Sequence, residues 1–305
     1  MRTIKKVASH IFIDGFGGMT QGLFATLIIG TMIQQIGLLI GGSTGNVIYL
    51  LGKAAAALTS AGIGVGVAVK YGESPLVTVS AAVAAMVGGY AGKITGGTFF
   101  VDGNAVLAGP GEPLGAFIAA FAGITCGHLV SGKTKVDIIV TPVITIGAGS
   151  VVGLLVGPPI SQMMTGLGSI INWATEQRPF IMGIVVSVVM GMVLTLPISS
   201  AALGIILNLS GLAAGAATIG CCCNMVGFAV ASYRENKFGG LVAQGLGTSM
   251  LQVPNIMRHP LIWLPVIFSS AILGPVSTII ANMQNNATGS GMGSAGLVGQ
   301  ITTYQ

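Results

Sequence analysis

The sequence predicts an all-α polytopic membrane protein, and three observations carry that expectation. Charged residues make up 6% of the 305 residues and hydrophobic residues 52%, whereas a soluble domain carries about 25% charge. The mean hydropathy is +0.90. The few charges are also widely spaced. No Asp, Glu, Lys or Arg falls between Asp14 and Lys53, between Asp137 and Glu176, or between Arg178 and Arg234, and none follows Arg258. A helix needs about 20 mostly apolar residues to cross the hydrocarbon core, so these intervals hold spans singly or in pairs. A soluble fold would lack the polar material to cover its surface.

About ten segments meet the length and composition of a span. They are 20–40, 47–69, 75–92, 113–131, 136–157, 180–196, 197–210, 212–233, 239–255 and 261–281. Breaks are marked by Gly72–Pro75, Gly109–Pro113, Gly157–Pro159, Pro197, Ser210–Gly211 and Pro254–Pro260. The segments at 197–210 and 239–255 are short for independent crossings and read as broken or re-entrant helices. Such backbone persists at membrane depth only inside protein or beside a water-filled cavity. The chain reads as one integral membrane domain over 1–305, with a first helical half at 1–157 and a second at 176–305.

Basic residues set the orientation. A cytoplasmic N-terminus places Arg2, Lys5 and Lys6 inside, then Lys70, Lys133 and Lys135, and later Arg234 and Lys237, and leaves Lys53, Lys93, Arg178 and Arg258 as exceptions near the other face. The apolar run Met19 to Ile40 is too long for a signal peptide and reads as a retained first helix. A multi-pass protein of the bacterial inner membrane is expected, with no nucleic-acid partner. The 49 glycines suit close helix packing, because lipid supplies no hydrophobic drive for helices to associate. They also allow helices to unwind beside a solute.

Three polar clusters interrupt this apolar background. The first is Asp102-Gly103-Asn104 followed by Gly109-Pro110-Gly111-Glu112-Pro113, a connection shaped by glycine and proline around lone carboxylates. A carboxylate there accepts hydrogen bonds from solute hydroxyls, binds a proton, caps a helix or sits in water. The second runs from Gly127-His128 to Ser131–Asp137. Gly127 and Gly132-Lys133-Thr134 match the letters of a phosphate-binding loop, but no strand–loop–helix unit surrounds them, so no nucleotide site is expected. His128 suits a proton relay, a hydroxyl contact or helix packing.

The third cluster comprises Thr195, Pro197, Ser199, Ser200, Asn208 and Asn224, then Gln244, Thr248, Gln252, Pro254 and Asn255. Interrupted helices present free carbonyls and amides to a ligand, and neutral side chains suit a hydroxyl-rich solute. The competing reading is interhelical glue. Cys126 and the consecutive Cys221, Cys222 and Cys223 lie in predicted spans. Adjacent cysteines diverge around a helix and cannot assemble a tetrahedral site by themselves, so packing thiols are expected. No cofactor, metal or self-contained catalytic site is expected.

Several stretches together resemble the phosphotransferase-system EIIC-like membrane protein family. They are Gly127–Asp137, Pro179-Phe180-Ile181-Met182-Gly183, Leu194 to Ala202, Gln244 to Met250 with Pro254-Asn255, and the tail Gly289–Gly299. The resemblance implies a membrane subunit that carries a sugar inward while partner proteins phosphorylate it. It implies separate IIA and IIB chains and a homodimer. By analogy it assigns Glu112 and His128 to the sugar. The substrate-lining candidates are therefore Asp102, Asn104, Glu112, His128, Thr195, Ser199, Ser200, Asn208, Asn224, Gln252 and Asn255, with Glu112 and His128 expected to join the broken helices around one cavity. Two alternatives remain open: a permease of the same fold for a non-sugar solute without phosphorylation, and a membrane sensor or scaffold without transport.

Overall fold

The computed structural model describes residues 10–107 and 109–304; the basic Arg2, Lys5 and Lys6 lie outside the described residues. The chain is an all-α polytopic membrane protein. Its main helices are α1 (Phe16–Ile40), α2 (Gly42–Ala57), α3 (Thr59–Lys70), α4 (Pro75–Gly89), α5 (Pro113–Val130), α6 (Asp137–Thr175), α7 (Pro179–Thr195), α8 (Gly211–Ala231) and α9 (Pro260–Ile280). Five of these, α1, α5, α6, α8 and α9, are long and apolar enough to cross a membrane. A sixth crossing arises if α2 and α3, bent by 53° at Leu58, count as one span. The helices α4 and α7 are apolar but shorter.

Prolines start many of these helices for a plain reason: the first turn needs no amide donor, and the fixed φ of proline suits it. Pro75, Pro113 and Pro179 each occupy such a position. The two segments expected to be broken are broken. Residues 197–210 give only a short helix, Ser200–Ile206. Residues 239–255 divide into the end of Tyr233–Val242, a π-turn at Ala243–Gly247, a 3-10 turn at Ser249–Gln252 and the start of Val253–Arg258. Two expected boundaries move. The span expected at 47–69 is interrupted at Leu58, and the helix expected to stop at 157 runs on through Pro158 and Pro159 to Thr175. Proline is tolerated inside membrane helices where neighbours satisfy the freed backbone.

By its internal contacts the chain divides into two compact units. The first comprises 1–30 and 50–162, and the second comprises 31–49 and 163–305. Within the first unit, α1 crosses α3 at Gly18 and Gly22 against Gly62 and Gly66, where a Cβ on Gly18 would stand 2.6 Å from the Gly66 carbonyl. Likewise, a Cβ on Gly115 of α5 would lie 2.5 Å from the Gly88 carbonyl of α4. Within the second unit, α7 meets α8 at Gly191 and Gly220, and α9 at Gly183 and Gly274. Both units therefore use backbone-to-backbone contact, which is the cohesion available to helices in lipid.

The second unit also encloses a segment that no predicted span covered. After α9 the chain turns back, and Ser290, Met292, Ser294, Ala295, Val298 and Gly299 are buried. Asn285 anchors this tail: its Nδ2 lies within hydrogen-bond distance of Thr218 Oγ1 at 2.8 Å, the Gly299 carbonyl at 3.0 Å and Thr303 Oγ1 at 2.9 Å.

Candidate functional site

The first unit builds its polar site where α2 breaks from α3. At that break Leu58 leaves helical geometry, and the Thr59 hydroxyl donates to the Ala56 carbonyl at 2.6 Å. The loop Gly109–Glu112 packs against this point. Ser60 Oγ donates to the Pro110 carbonyl at 3.0 Å, and the Glu112 amide donates to the Gly89 carbonyl at 2.7 Å. Gly111 has a φ of +76°, and a Cβ there would stand 3.1 Å from the Gly89 carbonyl. Only glycine meets both demands, left-handed backbone and close approach.

Tyr90, at the end of α4, closes the arrangement. Its hydroxyl lies against the Gly109 carbonyl and 3.3 Å from the Ala57 carbonyl. The side chain is buried. The Phe99 ring lies 5.3 Å from the Tyr90 ring, and the Lys93 amine stands 5.4 Å from its centre. Burial lowers the Lys93 pKa.

Glu112 occupies the residue before the first turn of α5, yet its side chain makes no capping bond to that helix, and its Oε1 is buried. Helix capping, one ordinary use of such a carboxylate, therefore does not account for it. Asp102 and Asn104 lie elsewhere in the connection, in a small exposed hairpin that pairs Phe100 with Ala105 and Val101 with Asn104. Both turn residues, Asp102 (φ +50°) and Gly103 (φ +78°), have left-handed backbone. Such two-residue hairpin turns favour Asp-Gly on conformational grounds alone.

His128 does not join Glu112, which corrects the shared cavity expected from the sequence. The two residues stand at opposite ends of α5, 16 residues apart, which at 1.5 Å per residue is roughly 24 Å. His128 instead faces the α3–α4 turn, with Nδ1 3.0 Å from Oε1 of Glu73. Alongside, the hydroxyls of Ser74 and Ser131 are 2.9 Å apart. At this end Tyr71 is pushed up to about 12, by burial first and then by Asp14. Asp137 folds the following loop by accepting from the Gly132 amide at 2.8 Å and the Thr141 hydroxyl at 2.7 Å.

In the second unit the structure gathers Thr195 and Asn224, but into a closed network. Asn224 is fully buried. Its Oδ1 accepts from Thr195 Oγ1 and Trp263 Nε1, each at 3.2 Å. Its Nδ2 donates to the Gly220 carbonyl at 3.1 Å and to Ser270 Oγ at 3.2 Å. Thr195 also shares a hydrogen bond with Ser249 at 2.9 Å. One amide thus ties α7, α8 and α9 together, and Thr195 extends the network to the Ser249–Gln252 turn.

A separate chain of amides runs through the broken segment. Asn255 donates to Gln252 at 2.9 Å, Gln252 to Gln244 at 2.9 Å, and Gln244 to Ser232 at 2.7 Å. Ser200 donates to the Gly291 carbonyl at 2.6 Å, and Ser199 is buried beside it in sequence. Asn208 is exposed with a φ of +48°, ending the Ser200–Ile206 helix in the left-handed conformation that asparagine tolerates.

Sequence reasoning missed Tyr90, Ser60, Trp263 and Ser270, and it noted Ser249 and the tail Gly289–Gly299 only for their resemblance to the family, not as buried structure. Single Ser, Tyr and Trp residues within apolar runs give no pattern. The tail did carry a signal, since Asn, Ser and Gly crowd a stretch without any charge.

Comparison with known proteins gives one match: the family model described as "Phosphotransferase system, EIIC" covers residues 13–305. No curated protein and no solved structure matches the chain.

Proposed function

The chain belongs to the phosphotransferase-system EIIC family, and on that premise we propose that it carries a small polar solute, a sugar, across the bacterial inner membrane while separate IIA and IIB proteins phosphorylate it. As a membrane subunit of a phosphotransferase-type transporter it needs a place where hydroxyls can exchange water for protein. The observation that supports this use of the first unit is the Gly109–Glu112 loop, whose backbone is bonded to Ser60 beside the helix break and which carries a carboxylate with one buried oxygen. A carboxylate accepts hydroxyl hydrogen bonds from a neutral ligand, and charge-assisted bonds of this kind are roughly twice as strong as neutral ones. Glu112 is the residue we assign to the solute, with backbone carbonyls near the Ala57–Thr59 break as further acceptors.

In the orientation set by the basic residues, the Glu112 end of α5 faces outward and the His128 end, with Lys133 and Lys135, faces the cytoplasm. A solute would then meet Glu112 on entry. The test is uptake of a panel of labelled hexoses, hexitols and disaccharides into cells expressing the chain with its IIA and IIB partners. One sugar is expected to accumulate as its phosphate, and Glu112→Gln should weaken its binding about tenfold to a hundredfold, the scale of a lost bond to a charged group. Wild-type uptake that persists without IIA and IIB, and without phosphorylation, would replace this reading with a simple permease. No uptake of any panel member would favour the sensor or scaffold.

A further inference from the structure

Tyr90 has one hydroxyl proton and two carbonyl neighbours. A tyrosine hydroxyl donates a single hydrogen bond, while Gly109 and Ala57 offer only acceptors to it. The closer acceptor belongs to the loop that carries Glu112, and the farther one, at 3.3 Å, belongs to the break between α2 and α3. A buried donor left without an acceptor is costly, and Tyr90 is 1% exposed. Its second carbonyl removes that cost, because the proton has a partner whether or not the loop is docked.

We propose that Tyr90 is a positioning residue, a two-station latch that docks the Glu112 loop through Gly109 and passes its proton to Ala57 when the loop lifts. The inference rests on the assignment of Glu112 to the solute only for its functional meaning; the latch itself rests on the geometry of Tyr90. Ser60, which donates to the Pro110 carbonyl at 3.0 Å, is the second tether. The Glu112 amide, held on the Gly89 carbonyl at 2.7 Å, is the reporter of docking. The aromatic packing of Phe99 on Tyr90 needs only the ring, so phenylalanine keeps the packing and removes the proton.

Hydrogen exchange read by mass spectrometry on the nanodisc-held protein tests this. In Tyr90→Phe the peptide holding the Glu112 amide is expected to exchange about threefold to tenfold faster, the effect of one net hydrogen bond. Exchange in the rest of α5 and the thermal midpoint should stay unchanged. Ser60→Ala should speed the same peptide, and the double variant should speed it more than either. Wild-type exchange at Glu112 in Tyr90→Phe overturns the latch, as does a rise spread evenly over the whole first unit, which would mark a general packing role. Faster local exchange together with unaltered sugar uptake by Glu112→Gln upholds the latch and removes the solute assignment instead.

Discussion

The loop around Glu112 and the network around Asn224 both place polar groups among apolar helices, yet they treat them in opposite ways. Around Asn224 both amide atoms are engaged by protein, and the four partners come from two neighbouring helices, α7 and α9, and from the amide's own helical turn. Around Glu112 two hydroxyl tethers and one amide hold backbone, while the carboxylate makes no capping bond to its own helix. The first arrangement fixes neighbours in register. The second ties a loop down through its backbone. Polarity in a membrane interior is therefore not one signal: side chains can close on one another, or a loop's backbone can be tied to hydroxyls from neighbouring helices.

The largest effect that would sharpen this contrast is expected at Asn224. Asn224→Ala removes four hydrogen bonds, and at the modest worth of each in membrane proteins the loss should be about 2–3 kcal/mol. Denaturation of the purified protein would measure it. Lost uptake with wild-type stability would break the comparison and make the network part of the pathway. Next comes Glu112→Gln, for which stability should move by less than about 1 kcal/mol while solute binding falls by the larger factor given above. Equal losses in both would place Glu112 among the structural groups.

A smaller change is expected in the amide chain, which lies between the two extremes. Gln252→Ala breaks two links and should cost about 1 kcal/mol, and Asn255→Ala breaks one and should cost roughly half as much. Ligand-binding assays on the same preparations decide whether this chain belongs to the seam or to the solute. The smallest effect concerns His128, which is largely exposed and paired with Glu73. Its partner Glu73 is only 9% exposed, so His128→Ala takes one hydrogen bond from a mostly buried carboxylate and should cost no more than about 0.5 kcal/mol. A large fall in sugar affinity there would restore the role that the family resemblance suggested.

Much of the fold was legible because charge and proline are read one residue at a time. The absence of charge between Arg178 and Arg234 announced membrane helices, and Pro75, Pro113 and Pro179 marked helix starts. The break at Leu58 was not legible. It lies in Lys53-Ala54-Ala55-Ala56-Ala57-Leu58-Thr59, a run with good helix propensity, and the groups packed on it, Tyr90 and the Gly109–Glu112 loop, are distant in sequence. Glu112 drew notice through its setting of glycine and proline. The pairing of His128 with Glu73, 55 residues away, needed the antiparallel packing of α4 and α5 to appear. Asp102 and Asn208 drew notice as polar residues, and backbone conformation explains both.

The glycine crossings carry a lesson for anyone scanning variants of this protein. Replacing Gly22 with alanine or leucine raises the apolar character of α1, so every hydropathy profile would score the change as harmless or better. Yet a side chain there would run into the backbone of Gly62 and Ile63. At such positions the tolerated alphabet has one letter, and neither polarity nor membrane preference predicts it. Mutational sensitivity along α1 and α3 should therefore follow a four-residue rhythm that is invisible in composition and set by which backbone lies across the gap.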